Sequence, residues 1–128
     1  SGKFKEPGMN ATFGVEIRAI KGGVVLELSG DIDGTAAAGL SAAYERAVAA
    51  SNPKVVLLDF TTTEYVNSSG IALIVSVLAK ARAEHRKVLA SGLSDHYREI
   101  FEITRLSDFI ELHRDLGAAV SRIAESDA

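Results

Sequence analysis

The sequence predicts one α/β domain: a mixed, mainly parallel sheet with an N-terminal hairpin and flanking helices, in the order ββαβαβαβα. Three observations carry this. Two stretches of alternating apolar and polar residues, 13–19 and 24–29, flank Lys21-Gly22-Gly23, as in an antiparallel hairpin. Val55, Val56, Leu57, Leu58 and Phe60 are interrupted only by Asp59, which suits a strand covered on both faces in mid-sheet. Beyond it, helical spacing alternates with short apolar runs to the end, an arrangement that right-handed crossovers connect.

At 128 residues the chain can bury a core without cross-links. Residues 1–11 hold little to bury and read as a flexible segment or cloning remnant, residues 12–124 as the domain and 125–128 as a tail. In the first strand Phe13, Val15, Ile17 and Ala19 form the apolar face; in the second, Val24, Leu26 and Leu28 alternate with Val25, Glu27 and Ser29. The glycine pair is no phosphate cradle, because no Lys-Ser or Lys-Thr follows it. Gly30 permits the turn out of the second strand, and Asp33 or Thr35 caps the first helix. That helix has the stripe Leu40, Ala43, Tyr44, Ala47 and Val48, and Ser51-Asn52-Pro53 stops it.

After the central strand the chain turns small and polar from Thr61, which reads as a loop at the carboxyl end of the strand, where α/β proteins place their sites. Asn67 and the serines after it offer oxygens to the free N–H groups of a first helical turn, and the helix is expected over residues 69–85. Ile71, Ile74, Val75, Leu78 and Ala81 form its core stripe. Leu73 and Val77 form a second one, so either the helix is covered all round within the domain or that stripe faces a partner. A strand over 87–91 follows, then a helix capped by Ser94 that carries Tyr97, Ile100 and Phe101. A last strand over 109–112 and a helix over 115–124, with Leu116, Val120 and Ile123 inward, complete the pattern.

Composition narrows the function. Cysteine is absent, so disulfides, thiol catalysis and Cys-based zinc sites are excluded. A formal net charge of −3 argues against nucleic acid as the main partner. The apolar runs are too short to span a membrane and no basic-then-apolar leader opens the sequence, so a cytoplasmic protein is expected.

Chemistry has few candidates. Ser68 and Ser69 lack a Gly-x-Ser-x-Gly elbow, and the spacing places none of His85, His96 and His113 beside them. Asp31 and Asp33 could serve a metal or acid–base work, but no third ligand is near in sequence, and capping is the alternative. No catalytic residue, metal or cofactor is assigned. The serines can instead be plain caps or a site of modification. A phosphate on Ser69 would meet free N–H groups at a helix start, which the fold tolerates. Residues 24–45 and 55–79 contain no Lys or Arg, whereas Glu27, Asp31, Asp33, Asp59 and Glu64 lie in them. An added charge of about −1.5 to −2 would then repel an acidic or apolar partner.

Gly30-Asp31-Ile32-Asp33, the strand from Val55, and Val66-Asn67-Ser68-Ser69-Gly70-Ile71 together resemble the STAS family of anti-sigma factor antagonists, as does the stretch from Ile103 to Leu112. The resemblance implies a non-enzymatic partner-switching module. By it, an anti-sigma factor that is a serine kinase phosphorylates Ser69. The unphosphorylated antagonist binds that kinase and frees a sigma factor, and a serine phosphatase restores the binding. It also implies that Asp31 and Asp33, in a loop near Ser69, contribute to the partner surface; together with the helix start and the second stripe, the expected partner face is Asp31, Asp33, Asn67, Ser68, Gly70, Leu73 and Val77, with no cofactor. Asn67 stands where the family usually has an acid; it can cap the helix but carries no charge. The alternative within the family is an unphosphorylated scaffold, or a small subunit of a stress-signalling complex or lipid transporter.

Overall fold

The computed structural model describes residues 11–127, so residues 1–10 of the flexible segment expected over 1–11 lie outside the described residues, while the Ala11 carbonyl accepts from the Asp31 N–H. One five-stranded sheet has the order β1 (Gly14–Ile20), β2 (Gly23–Ile32), β3 (Val55–Val66), β4 (Lys87–Ser91) and β5 (Glu111–His113). β1 runs antiparallel to β2, with Ile20 opposite Gly23; the other three pairings are parallel. Helices α1 (Ala37–Ser51), α2 (Ser68–Ala83), α3 (Asp95–Ile103) and α4 (Leu116–Asp127) alternate with the strands after the hairpin, which is the expected ββαβαβαβα order.

The two faces of β2 and β3 explain their dense apolar content. Val24, Leu26 and Leu28 of β2 and Val56, Leu58 and Phe60 of β3 pack with Leu40 and Tyr44 of α1, Ile74 and Leu78 of α2, and Phe101 of α3. On the opposite face Val25, Leu57 and Leu89 pack with Ala119 and Ile123 of α4. Strands covered on both sides cannot alternate apolar with polar.

Four expectations need correction. The polar run from Thr61 is not a loop: β3 continues to Val66, and Ser29, Gly30, Asp31 and Ile32 of β2 pair with Thr62, Thr63, Tyr65 and Val66. The Thr62 and Thr63 hydroxyls donate to the Leu28 carbonyl (3.1 and 3.4 Å), so these β-branched residues supply hydrogen bonds where the ladder register shifts. Val75, placed in the core stripe by its spacing, is 42% exposed. The last strand starts at Glu111, because Phe109 (56% exposed) closes a 3-10 turn over Leu106–Asp108 and only then does Ile110 enter the core. Ile17 and Ala19 of the edge strand are exposed as well.

A polar clamp ties the ends of α1 and α2. The Tyr44 hydroxyl donates to Glu84 Oε1 (2.8 Å), and Arg86 Nε donates to the same oxygen (3.0 Å). Arg86 Nη1 donates to Asn52 Oδ1 (2.9 Å) and to the Pro53 carbonyl (2.7 Å). Burial first, and then the hydrogen bond to Glu84, push the Tyr44 hydroxyl up to about 12 from its ordinary 10.0. Hydrogen bonds from Arg86 and Tyr44 hold the Glu84 carboxyl below its usual value.

Candidate functional site

The carboxyl ends of β2 and β3 and the start of α2 form one polar corner. Hydrogen bonds from backbone N–H groups build it. The Asn67 N–H donates to the Ile32 carbonyl (3.2 Å), the Asp31 N–H to the Ala11 carbonyl (3.1 Å), and the Val66 N–H to the Tyr97 hydroxyl of α3 (2.9 Å). Gly30 leaves the regular ladder at φ +74, where a Cβ would lie 2.0 Å from the Thr12 carbonyl oxygen, so only glycine lets the chain pass.

Asn67 is the N-cap of α2. Its backbone is extended (φ −95, ψ −175) and its side-chain oxygen accepts from the Gly70 N–H at 2.8 Å. The cap is thus complete without either serine. Ser68 and Ser69 are exposed, and neither hydroxyl makes a hydrogen bond among the described residues. Gly70 is buried, and a Cβ there would lie 1.9 Å from the Ile32 carbonyl oxygen, so the first turn of α2 sits directly against the end of β2.

Facing Ser69 is the 3-10 turn over Gly34–Ala36. Asp33 caps this turn rather than the expected α1, with Oδ1 accepting from the Thr35 N–H (2.9 Å) and the Thr35 hydroxyl (2.5 Å), while α1 has Ala36 at its N-cap and no side-chain cap. A Cβ at Gly34 would stand 3.7 Å from Ser69 Cβ and 4.0 Å from its Oγ. Gly34 therefore leaves the hydroxyl uncovered on that side. The sequence reading missed this glycine, whose role depends on a contact across two elements.

The remaining candidates divide by depth. Asp33 and Asn67 are half-buried at the rim, while Asp31 (3% exposed) and Gly70 lie beneath it. On α2 the second stripe is largely covered within the domain: Val77 is buried and Leu73, half-buried, packs on the core beside Leu40 and Tyr44. Residues 22–45 and 55–79, which supply β2, β3 and the start of α2, hold no Lys or Arg. Among the described residues no group of three or more His, Asp or Glu is placed to hold a metal ion. The buried Asp59 is satisfied structurally, accepting from the Ser91 (2.9 Å) and Thr61 (2.7 Å) hydroxyls. The His113 ring lies against Glu111 (2.7 Å) and the His96 ring against Tyr97. No described helix is long and apolar enough to cross a membrane.

A model of the STAS domain matches residues 14–119, and the chain belongs to the STAS domain family. The anti-sigma-B factor antagonist of Listeria monocytogenes is 36% identical over 58 residues, 45% of this chain and 51% of that protein. The match therefore spans about half the length of the curated relative. An anti-sigma factor antagonist from Mycobacterium paratuberculosis superposes with a TM-score of 0.75 at 22% identity, over 88% of this chain and 95% of that one. The phosphorylated form of the Bacillus cell fate determinant SpoIIAA superposes at 0.66 and 20% identity, over 88% and 99%. At these identities the structures establish a shared fold.

Proposed function

We propose that the chain is an anti-sigma factor antagonist, a binding module without catalysis of its own, that is switched by phosphorylation of Ser69. Unphosphorylated, it binds an anti-sigma factor serine kinase in the cytoplasm and frees a sigma factor; phosphate on Ser69 ends the binding, and a serine phosphatase restores it. Asp33, Asn67, Ser68 and Leu73 present the partner surface, while Asp31, Gly70 and Val77 shape it from below.

The observation that carries this reading is the free Ser69 hydroxyl beside Gly34, on a helix start already capped by Asn67. A phosphate there takes no hydrogen bond away from the fold and gains the favourable end of the α2 dipole. Segments 22–45 and 55–79 bring no cation to neutralise it, so the new charge acts on whatever docks. The Listeria relative bears the same functional name, and a phosphorylated protein shares the fold.

Binding of the cognate kinase to purified variants tests the proposal. Ser69→Asp should melt like the wild type and bind the kinase at least tenfold more weakly, whereas Ser69→Ala should bind normally and resist release by ATP. Full binding by Ser69→Asp would overturn the switch.

A further inference from the structure

We propose that the chain carries a second ligand site, a groove along the C-terminal half of α2 that takes an amphipathic organic anion: a carboxylate or phosphate head on a hydrocarbon body. The groove has a volume of about 660 Å³ and is floored by Val75, Leu78, Val88, Leu106 and Phe109. Small-molecule sites span about 300–1,000 Å³ and are lined mainly by such side chains.

Two independent features point to this class of occupant. The first is apolar surface without cover. Helical spacing marks Val75 for burial, yet it is 42% exposed, and Phe109 is 56% exposed; both open into this groove. The second is charge. Among the described residues, Arg82, Arg86 and Lys87 line the groove beside the His85 ring, against one acid, Asp108. Arg86 is held by Glu84, Lys87 by Glu111, and Asp108 by Arg105. Arg82 forms no ion pair among the described residues, and its guanidinium stands 5.3 Å from the centroid of the Phe109 ring. An uncompensated guanidinium at the edge of an apolar floor complements one anionic head with an apolar body, and it disfavours a cation. Ser69 lies at the opposite end of α2. The site therefore does not depend on the partner-switching reading.

Dodecanoate, kept below its micelle-forming concentration, is the probe, followed by NMR of the isotope-labelled full chain and by calorimetry. The expected result is one saturable site, with amide shifts centred on Val75, Ala79, Arg82 and Leu106, and at least tenfold weaker binding of dodecyltrimethylammonium. Arg82→Gln, at an exposed position, should keep its melting temperature and lose roughly tenfold or more in dodecanoate affinity, as removal of a charge-assisted hydrogen bond implies. Arg98→Gln, on α3 outside the groove, should bind as the wild type does. Absence of saturable binding, equal affinity for the two detergents, shifts centred elsewhere, or an unchanged Arg82→Gln affinity would each overturn the proposal. If the groove instead serves an acidic helix of a protein partner, dodecanoate will leave those amides unmoved.

Discussion

Replacing Gly70 by alanine tests how tightly the start of α2 is seated. In most helices this exchange stabilises, because alanine restricts the unfolded chain and favours the helix by about 1 kcal/mol. Here the added Cβ would lie 1.9 Å from the Ile32 carbonyl oxygen, 2.7 Å from the Ile32 carbonyl carbon and 3.0 Å from Val66 Cγ1. The nearest atoms are backbone, which cannot swing aside. The first turn must therefore retreat by more than an ångström, at the expense of the 3.2 Å bond from the Asn67 N–H to the Ile32 carbonyl. Overpacking costs about 1–3 kcal/mol and the weakened hydrogen bond about 0.5–1.5 kcal/mol, so after the helix preference the net loss is about 2 kcal/mol. In a domain of this size that lowers the melting temperature by roughly 6–10 °C. Urea unfolding followed by circular dichroism measures it, with Gly39→Ala as the control. In that variant the new Cβ meets only Phe13 ring carbons, at 3.3 and 3.5 Å, and stability should hold or rise by about 0.5–1 kcal/mol. Gly70→Ala as stable as the wild type, alongside a neutral or stabilising Gly39→Ala, would refute the docking of α2 on β2.

Three further outcomes are expected. Asn67→Ala removes the acceptor for the Gly70 N–H and should cost about 1 kcal/mol in urea unfolding, whereas Asn67→Asp keeps the cap and should cost nothing measurable. With its folded value raised to about 12, the neutral Tyr44 hydroxyl contributes stability that is complete below the ordinary 10.0 and is lost as pH rises toward 12. Phenolate absorbance should lose a late-titrating component in Tyr44→Phe, and the same variant should flatten the loss of stability in that window. Gly34→Leu, exposed and with room at its Cβ, should fold normally but cover Ser69, so a phosphorylation assay with the cognate kinase should show it modified far more slowly than the wild type.

Much of the architecture was legible because its signals are local. The hairpin showed in the alternation on either side of Gly22-Gly23, and the cap showed in Asn67 placed before a glycine and an apolar stripe. The misreadings share one cause, which is that a partner distant in sequence decided the outcome. Thr61 to Tyr65 look like a loop until β2 is placed beside them; threonine then proves a good strand residue with a hydroxyl to spare for the Leu28 carbonyl. Val75 has core spacing, but the residue across the groove from it, Phe109 after the 3-10 turn, is itself exposed and leaves it uncovered. At the site, the serine pair and its cap were visible in sequence. Gly34 and the Tyr97 hydroxyl were not, because their contacts join residues about 30 or more apart in the chain, where spacing carries no signal.

The most direct measurement is peptide mass spectrometry of this protein isolated from its native host during growth and under stress. A phosphate on Ser69 whose occupancy changes between the two conditions is the result this account predicts. Ser69 unmodified in both, with the protein present in each, would contradict it and leave an unphosphorylated scaffold as the reading, with the neutral Asn67 in place of an acid as the reason.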